Sequence, residues 1–279
     1  MRRLVRRADV LVENFRTGTM ESFGLGYEAL ADIQPRLVYC SISAFGRTGP
    51  RAESAGYEAV MQAFSGVMSI TGEPGGAPLR CGVSFVDLAT GIFGAFGVVN
   101  ALLRRHVTGR GQRVDASLLE TSLSLLNYHA EAYLLSGVVA GPLGSSHPSI
   151  VPYRNFRCRD GRWVFIAGAN DRLWQRLAAV IGLEHLVADP RFATNPDRVQ
   201  HRAELEAEVE MAIARHDEAA VLALLAKAHV PAVPVKFSEM QPRVRTHAPL
   251  LGEHTDEVLA EHGYAAAEIA ELRARRIVA

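Results

Sequence analysis

Short apolar runs that end in polar residues mark the first part of the chain. Residues 8–15 form one such run and residues 37–43 form another, with a glycine-bearing turn and a weakly helical stretch between them. This order is typical of two parallel strands joined by a crossover, and the ligands of such sheets bind beyond the carboxyl ends of the strands. The pattern therefore predicts that Asn14, Phe15 and residues 44–46 line a cleft.

Longer stretches with helical periodicity follow these runs. Residues 57–69 and 88–106 have this pattern, with a glycine-rich turn between them. Residues 109–115 are predicted to form a turn. Ser117 then begins a capping-box pattern, which predicts a further apolar helix that ends near Leu135.

The second half of the chain has a different pattern. After a loop-like segment, residues 156–166 predict a β-hairpin with Asp160 and Gly161 at its turn. Helical patterns then follow near residues 171–182, 198–215, 217–228 and 255–275.

These elements predict an α/β fold with more than one domain. We expect residues 1–140 to form a large, doubly wound, Rossmann-like domain and residues 141–235 to form a smaller α+β domain. Prolines near residue 235 mark a boundary. Residues 236–279 follow that boundary as a C-terminal segment.

Composition and charge narrow the classes of function. The chain has 279 residues, of which 48% are hydrophobic, and this is enough for a substantial core. Its 30 basic and 30 acidic residues cancel, so we expect neither nucleic acid nor an anionic membrane as a partner. Cys40, Cys81 and Cys158 lack the spacing of a disulfide framework or a zinc site, so we expect no metal and a cytoplasmic location. The apolar stretch Gly91–Leu103 is too short to span a membrane, and we expect no export signal.

Asp87 is the leading candidate for a catalytic residue. It lies at the start of a predicted helix, where an aspartate often caps backbone N–H groups. Gly91, Gly94 and Gly97 recur behind it on one face of that helix, although each costs roughly 1 kcal/mol relative to alanine. Such a face indicates close approach of another backbone or of a ligand, and a carboxylate beside it can act as a covalent nucleophile. The residues alone leave both interpretations of Asp87 open.

Several short motifs occur in a fixed order from about Leu4 to Val278. They are Ala8–Phe15, Gly24–Tyr27, Phe45–Pro50, Gly56–Tyr57, Thr71–Pro74, Val86–Asp87, Thr108–Asp115, His147–Pro148, Pro152–Tyr153 and Ala248–Asp256. Together they resemble the class III CoA-transferase family, also called the CaiB/BaiF family. That resemblance implies an interlocked homodimer, and a tail after Pro249 that returns to the large domain.

The same resemblance implies an activity and a set of site residues. In this family the aspartate that matches Asp87 attacks the donor acyl-CoA, forming an aspartyl anhydride and then an aspartyl-CoA thioester. The expected reaction moves coenzyme A from an acyl-CoA to a small carboxylic acid, with the coenzyme A thioester as substrate and no permanently bound cofactor. The residues expected to contact coenzyme A are Asn14, Phe15, Arg16, Ala55, Gly56 and Tyr57.

Racemases of 2-methylacyl-CoA share the family fold and are a first alternative. They resemble this chain but carry a histidine after the glycine that matches Gly56, and this histidine pairs with the aspartate in proton transfer. Here that position is Tyr57. A phenol with an unperturbed pKa near ~10 is a poor base at neutral pH, so the sequence favours transfer.

Departures from the family pattern supply a second alternative. The resemblance begins partway into the family's large domain, so we expect that domain to be incomplete. At Val230–Ser238 the chain goes straight from the helices of the small domain to the C-terminal segment, where family members have a further stretch of the small domain. Ser22 stands where the family has an arginine, which is expected to weaken a contact with a coenzyme A phosphate, and residues 144–148 replace a glycine-rich loop. A truncated, catalytically inactive relative that serves as a partner or structural subunit would have the same departures.

Overall fold

The computed structural model describes residues 1–226 and 252–278. These residues divide into two compact units. The first unit contains residues 1–65, 81–135 and 252–278, and the second contains residues 66–80 and 136–226. Residues 66–80 therefore belong with the second unit, whereas the sequence pattern assigned them to the large domain. The predicted gap at Val230–Ser238 lies outside the described residues.

A parallel sheet forms the centre of the first unit. Among the described residues its strands are β1 (Val10–Glu13), β2 (Val38–Ser43) and β3 (Arg113–Ser117), in the order β1-β2-β3. Glu13 pairs with Ser41, which in turn pairs with Asp115. The prediction of an α/β fold with parallel strands is confirmed. The prediction of a turn over residues 109–115 is wrong from Arg113 onward, because alternating polar and apolar residues there form the third strand.

Helices cover both faces of this sheet. Tyr39 on β2 packs with Val5, Leu30 and Leu37 on one face, whereas Cys40 faces the long helix on the other. The side chains of a strand alternate between faces, so one strand contributes to both layers. The helices of the first unit are α1 (Arg2–Val5), α2 (Thr19–Ser22), α3 (Tyr27–Ala31), α4 (Glu58–Phe64), α5 (Phe85–Thr108), α6 (Leu118–Leu126), α7 (Tyr128–Ser136), α12 (Thr255–Glu261) and α13 (Ala266–Ala274).

Helix α5 begins after Ser84 and ends at Thr108, and the next residue, Gly109, has the left-handed conformation that a glycine adopts readily. Its outward face is apolar and exposed at Ile92, Phe96 and Leu103. The prediction that no apolar segment is long enough to cross a membrane is wrong on length and composition, because α5 has 24 residues and contains an 18-residue window with a mean hydropathy of 1.7. One such helix is weak evidence for a membrane span, since long apolar helices also occur in protein cores.

The connections on either side of β3 explain two sequence signals. A Cβ on Gly111 would lie 1.9 Å from the carbonyl oxygen of Leu37, so the chain can pass there only with glycine. Ser117 accepts a hydrogen bond of 3.2 Å from the backbone N–H of Glu120, which confirms the predicted cap of α6. The predicted helix to Leu135 is interrupted at Asn127, whose φ of 48° separates α6 from α7.

The second unit is an α+β assembly with its own core. Strands β4 (Tyr153–Arg157) and β5 (Trp163–Ala167) pair antiparallel as the predicted hairpin, and Gly161 has a φ of 81° at its turn. Buried Trp174 and Phe156 belong to one large apolar cluster. The remaining helices are α8 (Asp171–Ile181), α9 (Asn195–Gln200), α10 (Arg202–Ile213) and α11 (Glu218–Leu225).

Candidate active site

A cavity of about 590 Å³ opens beyond the carboxyl ends of the strands in the first unit. This is the position at which parallel α/β sheets usually bind ligands. All seven residues selected from the sequence line it: Asn14, Phe15, Arg16, Ala55, Gly56, Tyr57 and Asp87. The structure thus brings together three segments that are far apart in the chain, while the chemical role of each residue stays a prediction.

Asp87 lies within the first turn of α5 and does not cap it. The capping position is Ser84, and Asp87 is the third residue of the helix. Its side chain is exposed at the cavity wall. Partial desolvation, followed by the nearby charge of Glu58, raises the pKa of Asp87 above its ordinary value. The partial positive charge of the helix amino terminus acts in the opposite direction and favours the ionised form.

Glu58 is a charged site residue that the sequence analysis missed. It begins α4 directly after Tyr57, lines the cavity, and is only 6% exposed. The side-chain amide of Gln62 donates to the Glu58 carboxylate, and the Gln62 carbonyl oxygen accepts a 2.9 Å hydrogen bond from the backbone N–H of Cys81. The sequence did contain a signal for Glu58, because this carboxylate directly follows the motif residue Tyr57 at the start of a predicted helix. Its proximity to Asp87 depends on the packing of α4 against α5, which the sequence does not show.

Two loop segments form the walls of the cavity. Residues 14–17 follow β1, and residues 52–57 precede α4. The Arg16 guanidinium joins the two walls, because its Nε donates a 3.1 Å hydrogen bond to the carbonyl oxygen of Glu53. Tyr57 projects into the open and is 84% exposed. A planar, exposed aromatic ring at the rim of a cavity can stack against a flat ligand group.

Gly56 has a packing reason to be glycine. A Cβ at this position would lie 2.7 Å from the Cε of Met61 and 2.9 Å from the Cβ of Ala44. Real side chains do not tolerate such distances, so the wall can approach β2 this closely only without a side chain. The selection of Gly56 from a motif is therefore explained by packing, which also shapes the cavity.

The glycine stripe of α5 divides between the cavity and the sheet. Gly91 lies one turn after Asp87 and lines the cavity, and a Cβ added there would meet no atom within 4 Å. Gly94 instead faces Cys40, and a Cβ on Gly97 would lie 2.7 Å from Cγ1 of Val114. Gly94 and Gly97 thus face side chains of the sheet, whereas the approach of a ligand to Gly91 stays a prediction.

The floor of the cavity contains further residues that the sequence did not indicate. Thr90 and Leu118 are nearly fully buried, and the Thr90 hydroxyl donates a 2.7 Å hydrogen bond to the carbonyl oxygen of Val86. Ser43 ends β2, and its buried Oγ has no hydrogen-bond partner among residues 1–226 and 252–278. Within the same residues no group of three or more His, Cys, Asp or Glu could hold a metal ion.

Comparison with known proteins places the chain among enzymes that act on coenzyme A esters. The model of a family described as CoA-transferase family III matches residues 1–236. An acyl-CoA transferase of Fusarium pseudograminearum is 39% identical, and the match covers 99% of this chain and 68% of that protein. The succinate–glutarate CoA-transferase of Agrobacterium fabrum is 36% identical, with 94% of this chain and 74% of that protein covered.

Two further comparisons agree with these. The acetyl-CoA:oxalate CoA-transferase of Acetobacter aceti is 40% identical over 83% of this chain, which corresponds to 60% of that protein. The crystal structure of a CaiB/BaiF family protein from Brucella suis superimposes with a TM-score of 0.79 at 36% identity, and covers 94% of this chain and 77% of that one. The chain thus spans between 60% and 77% of the lengths of these four proteins.

Proposed function

The chain belongs to CoA-transferase family III, and from that premise we propose that it transfers coenzyme A from an acyl-CoA to a carboxylic acid through a covalent intermediate on Asp87. The observation that carries this proposal is the placement of the Asp87 side chain at the wall of a cavity, within the first turn of a long helix. A carboxylate in this position can be both ionised and accessible to a thioester.

The proposed reaction has four acyl-exchange steps. The Asp87 carboxylate attacks the thioester carbonyl of the donor, and the coenzyme A thiolate leaves, which gives a mixed anhydride. The thiolate then attacks the aspartyl carbonyl and releases the donor as its carboxylate, which leaves an aspartyl-CoA thioester. The acceptor carboxylate attacks this thioester to form a second anhydride and free the thiolate. Attack of the thiolate on the acceptor carbonyl yields the product acyl-CoA and regenerates Asp87.

Each step breaks one activated acyl bond and forms another of similar energy, so the protein has to hold the reactants and exclude water rather than supply a strong acid or base. The partially desolvated carboxylate of Asp87 fits this role, because desolvation raises its pKa and makes the ionised form more reactive. We propose that Asn14, Phe15 and Arg16 on one wall, and the segment Ala55, Gly56 and Tyr57 on the other, contact the coenzyme A portion.

Transfer is preferred to racemisation because of Tyr57. This phenol stands at the rim of the cavity where the racemases have a histidine, and a phenol lacks the basic imidazole nitrogen that takes up the proton. For the acceptor we propose a small carboxylic acid. Succinate, glutarate and oxalate are the first compounds to assay, since they occur in the names of the relatives.

We further propose a homodimer in the cytoplasm. The exposed apolar face of α5, with Leu88, Ile92 and Phe96, supports an interface because an apolar surface of this kind is stabilised when it is covered. Cys40, Cys81 and Cys158 are free thiols, as expected in a reducing compartment. Size-exclusion chromatography with light scattering measures the assembly, and a monomer at micromolar concentration contradicts the dimer.

Trapping of the intermediate tests the proposed function directly. The protein is incubated with succinyl-CoA and then with hydroxylamine, and peptide mass spectrometry is used to find a hydroxamate at Asp87. Asp87→Asn should give no adduct. Asp9→Asn is the matched control and should trap as the wild type does, because Asp9 is 75% exposed and does not line the cavity. Absence of the Asp87 adduct, together with no binding of coenzyme A by calorimetry, would favour the catalytically inactive relative instead.

A further inference from the structure

A buried ion pair lies directly behind the cavity wall formed by residues 14–17. It joins the carboxylate of Glu13, at the end of β1, to the guanidinium of Arg47, in the loop after β2. Only 2% of the Glu13 side chain and 9% of the Arg47 side chain are exposed, and neither residue lines the cavity. Both charged groups are therefore removed from solvent beside the site without being part of its surface.

The Glu13 carboxylate is bonded on both oxygens. One oxygen accepts a 2.9 Å hydrogen bond from the backbone N–H of Phe15. The other accepts from Arg47 Nη1 at 3.3 Å and from the hydroxyl of Ser41 on the neighbouring strand. Arg47 Nη1 also donates to Ser41 Oγ at 3.0 Å, and its Nη2 pairs with Glu21 on α2.

This arrangement fixes the point at which the chain leaves the sheet and becomes the cavity wall. The hydrogen bond to the N–H of Phe15 spans only two residues and determines the direction of the backbone at Asn14 and Phe15. Arg47 holds the carboxylate in place by connecting β1, β2 and α2 through one guanidinium. A charge buried this deeply is costly unless its partners remain, so loss of Arg47 should disturb the position of the Glu13 carboxylate.

We propose that Glu13 and Arg47 are positioning residues for coenzyme A, which act by holding the wall of Asn14, Phe15 and Arg16 in its binding geometry. The inference rests on the proposed function in one respect, namely that this wall contacts coenzyme A. It predicts that damage to the pair weakens binding of coenzyme A while leaving the chemistry of Asp87 intact. Loss of one or two polar contacts between this wall and coenzyme A is expected to weaken affinity by about tenfold or more.

Arg47→Met and Arg105→Met form a matched pair for the test. Arg105 donates to Asp9 at 2.8 Å and to the carbonyl oxygen of Arg36 at 2.9 Å, and its side chain is 13% exposed. Arg105 therefore also connects segments of the sheet. It does so at the amino ends of β1 and β2, where Asp9 and Arg36 precede the strands, whereas Arg47 acts at their carboxyl ends. Both variants lose an arginine that braces the same sheet, and only one of them is next to the cavity.

The readouts are the Kd for coenzyme A by calorimetry, and kcat and KM with succinyl-CoA as donor and glutarate as acceptor. Arg47→Met should raise Kd and KM by about tenfold or more, with kcat at saturation within about twofold of wild type. Arg105→Met should lower the urea midpoint without a change in Kd. Arg47→Lys keeps the charge and should recover part of the affinity. If Arg47→Met does not fold, Glu13→Gln decides, because it keeps the shape and removes the charge that Arg47 and the N–H of Phe15 share.

The outcomes separate this inference from the function on which it rests. A wild-type Kd in both Glu13 and Arg47 variants, with only their stability lowered, means that the pair is structural and overturns the inference alone. An equal rise of Kd in Arg105→Met overturns it as well, because the effect would then be a general loosening of the sheet. A wild-type chain with no saturable binding of coenzyme A overturns the proposed function, and the inference with it.

Discussion

Helix α5 has a first part at the cavity, residues 85–93, and a second part at the sheet, residues 94–108, which we call its cavity half and its packing half; one glycine repeat runs through both. In the first half Asp87, Thr90 and Gly91 line the cavity, and the space in front of Gly91 is open. In the second half Gly94 and Gly97 lie against the sheet, where a methyl group on Gly97 would overlap Val114. One regular pattern therefore borders the cavity at Gly91 and allows close helix–sheet packing at Gly97.

The difference shows why a periodic sequence signal does not identify a site by itself. A glycine in a helix lowers helix stability by about 1 kcal/mol relative to alanine, wherever it is placed in the interior. In the second half the close approach of the sheet offsets this cost through packing. In the first half no atom of the described chain lies within 4 Å of a Cβ on Gly91, so the prediction of a ligand contact there can be tested by substitution. Substitutions in the two halves should consequently affect different measurements.

Asp87→Asn is expected to produce the largest effect, and it belongs to the cavity half. Removal of a covalent nucleophile should lower kcat by about 10³-fold or more, as it does in enzymes whose nucleophile acts as part of a unit. Stability should not fall, because the raised pKa means that the ionised carboxylate is held at a cost in the folded chain. Initial rates measure the change in kcat, and urea unfolding measures the change in stability. Loss of activity through unfolding would mean that Asp87 has a structural role and would end the contrast between the halves.

Gly91→Ala is the sharpest probe of the open space in the cavity half. The added methyl group meets no atom of the folded chain within 4 Å, so the free energy of unfolding should rise by up to about 1 kcal/mol from helix propensity. Where a ligand fills that space, KM for the acyl-CoA should rise about tenfold. Steady-state kinetics with a series of acyl-CoA donors gives the answer. An unchanged KM for every donor would show that nothing binds in front of Gly91.

The packing half is tested by Gly97→Ala, with Gly94→Ala as its control. The Gly97 methyl group is 2.7 Å from Val114, and an overpacked core loses about 1–3 kcal/mol, from which about 1 kcal/mol of helix propensity is subtracted. A net loss of about 1 kcal/mol should follow, with KM unchanged. At Gly94 the nearest atom is Cys40 Sγ at 3.5 Å, an ordinary contact, so that variant should be neutral or more stable. Equal unfolding midpoints for the two variants would show that Val114 does not crowd position 97.

The sequence predicted individual strands and helices better than it predicted which residues meet in space. The apolar runs and caps around β1, β2 and α6 follow from local chemistry, and the structure agrees with them to within a few residues. Strand β3 was missed because the charged residues Arg113 and Asp115 interrupt its apolar pattern. In the structure these two side chains form an ion pair on the same face of the strand. Glu13, Arg47 and Glu58 were not found because their importance depends on which loops meet, and local patterns do not contain that information.

The site was predicted more completely than its energetics. The motif residues Asn14 to Arg16, Ala55 to Tyr57 and Asp87 meet at one cavity, although the residues alone left Asp87 as either a cap or a nucleophile. The structure separates these interpretations in one respect, because Ser84 occupies the cap position. The neighbour that changes the pKa of Asp87 could not be inferred, since Glu58 is 29 positions away along the chain and is brought near by the packing of α4 and α5.

Glu58→Gln is expected to have the smallest effect, and it examines the electrostatics of the cavity half. Desolvation is the main cause of the raised pKa of Asp87, and the charge of Glu58 is the second. Only the ionised carboxylate attacks a thioester, so the acid limb of kcat/KM follows this pKa. Removal of the Glu58 charge should move that limb to lower pH. The amide oxygen of glutamine can still accept the hydrogen bond from Gln62, so α4 should keep its packing.

The same substitution has a consequence for stability with a defined sign. A carboxyl group whose folded pKa is raised above its unfolded value of 3.8 binds its proton more tightly in the folded chain, so its contribution falls as the pH rises from 3.8 through the raised pKa. Glu58→Gln should narrow the pH range over which the Asp87 contribution to stability is lost. Below pH 3.8 that contribution should not change with pH in either protein. Asp115→Asn is the control, because Asp115 is exposed on β3 and does not contribute to the shift of Asp87. An acid limb that moves equally in both variants would show that general charge, and not the α4–α5 contact, sets the reactivity of Asp87.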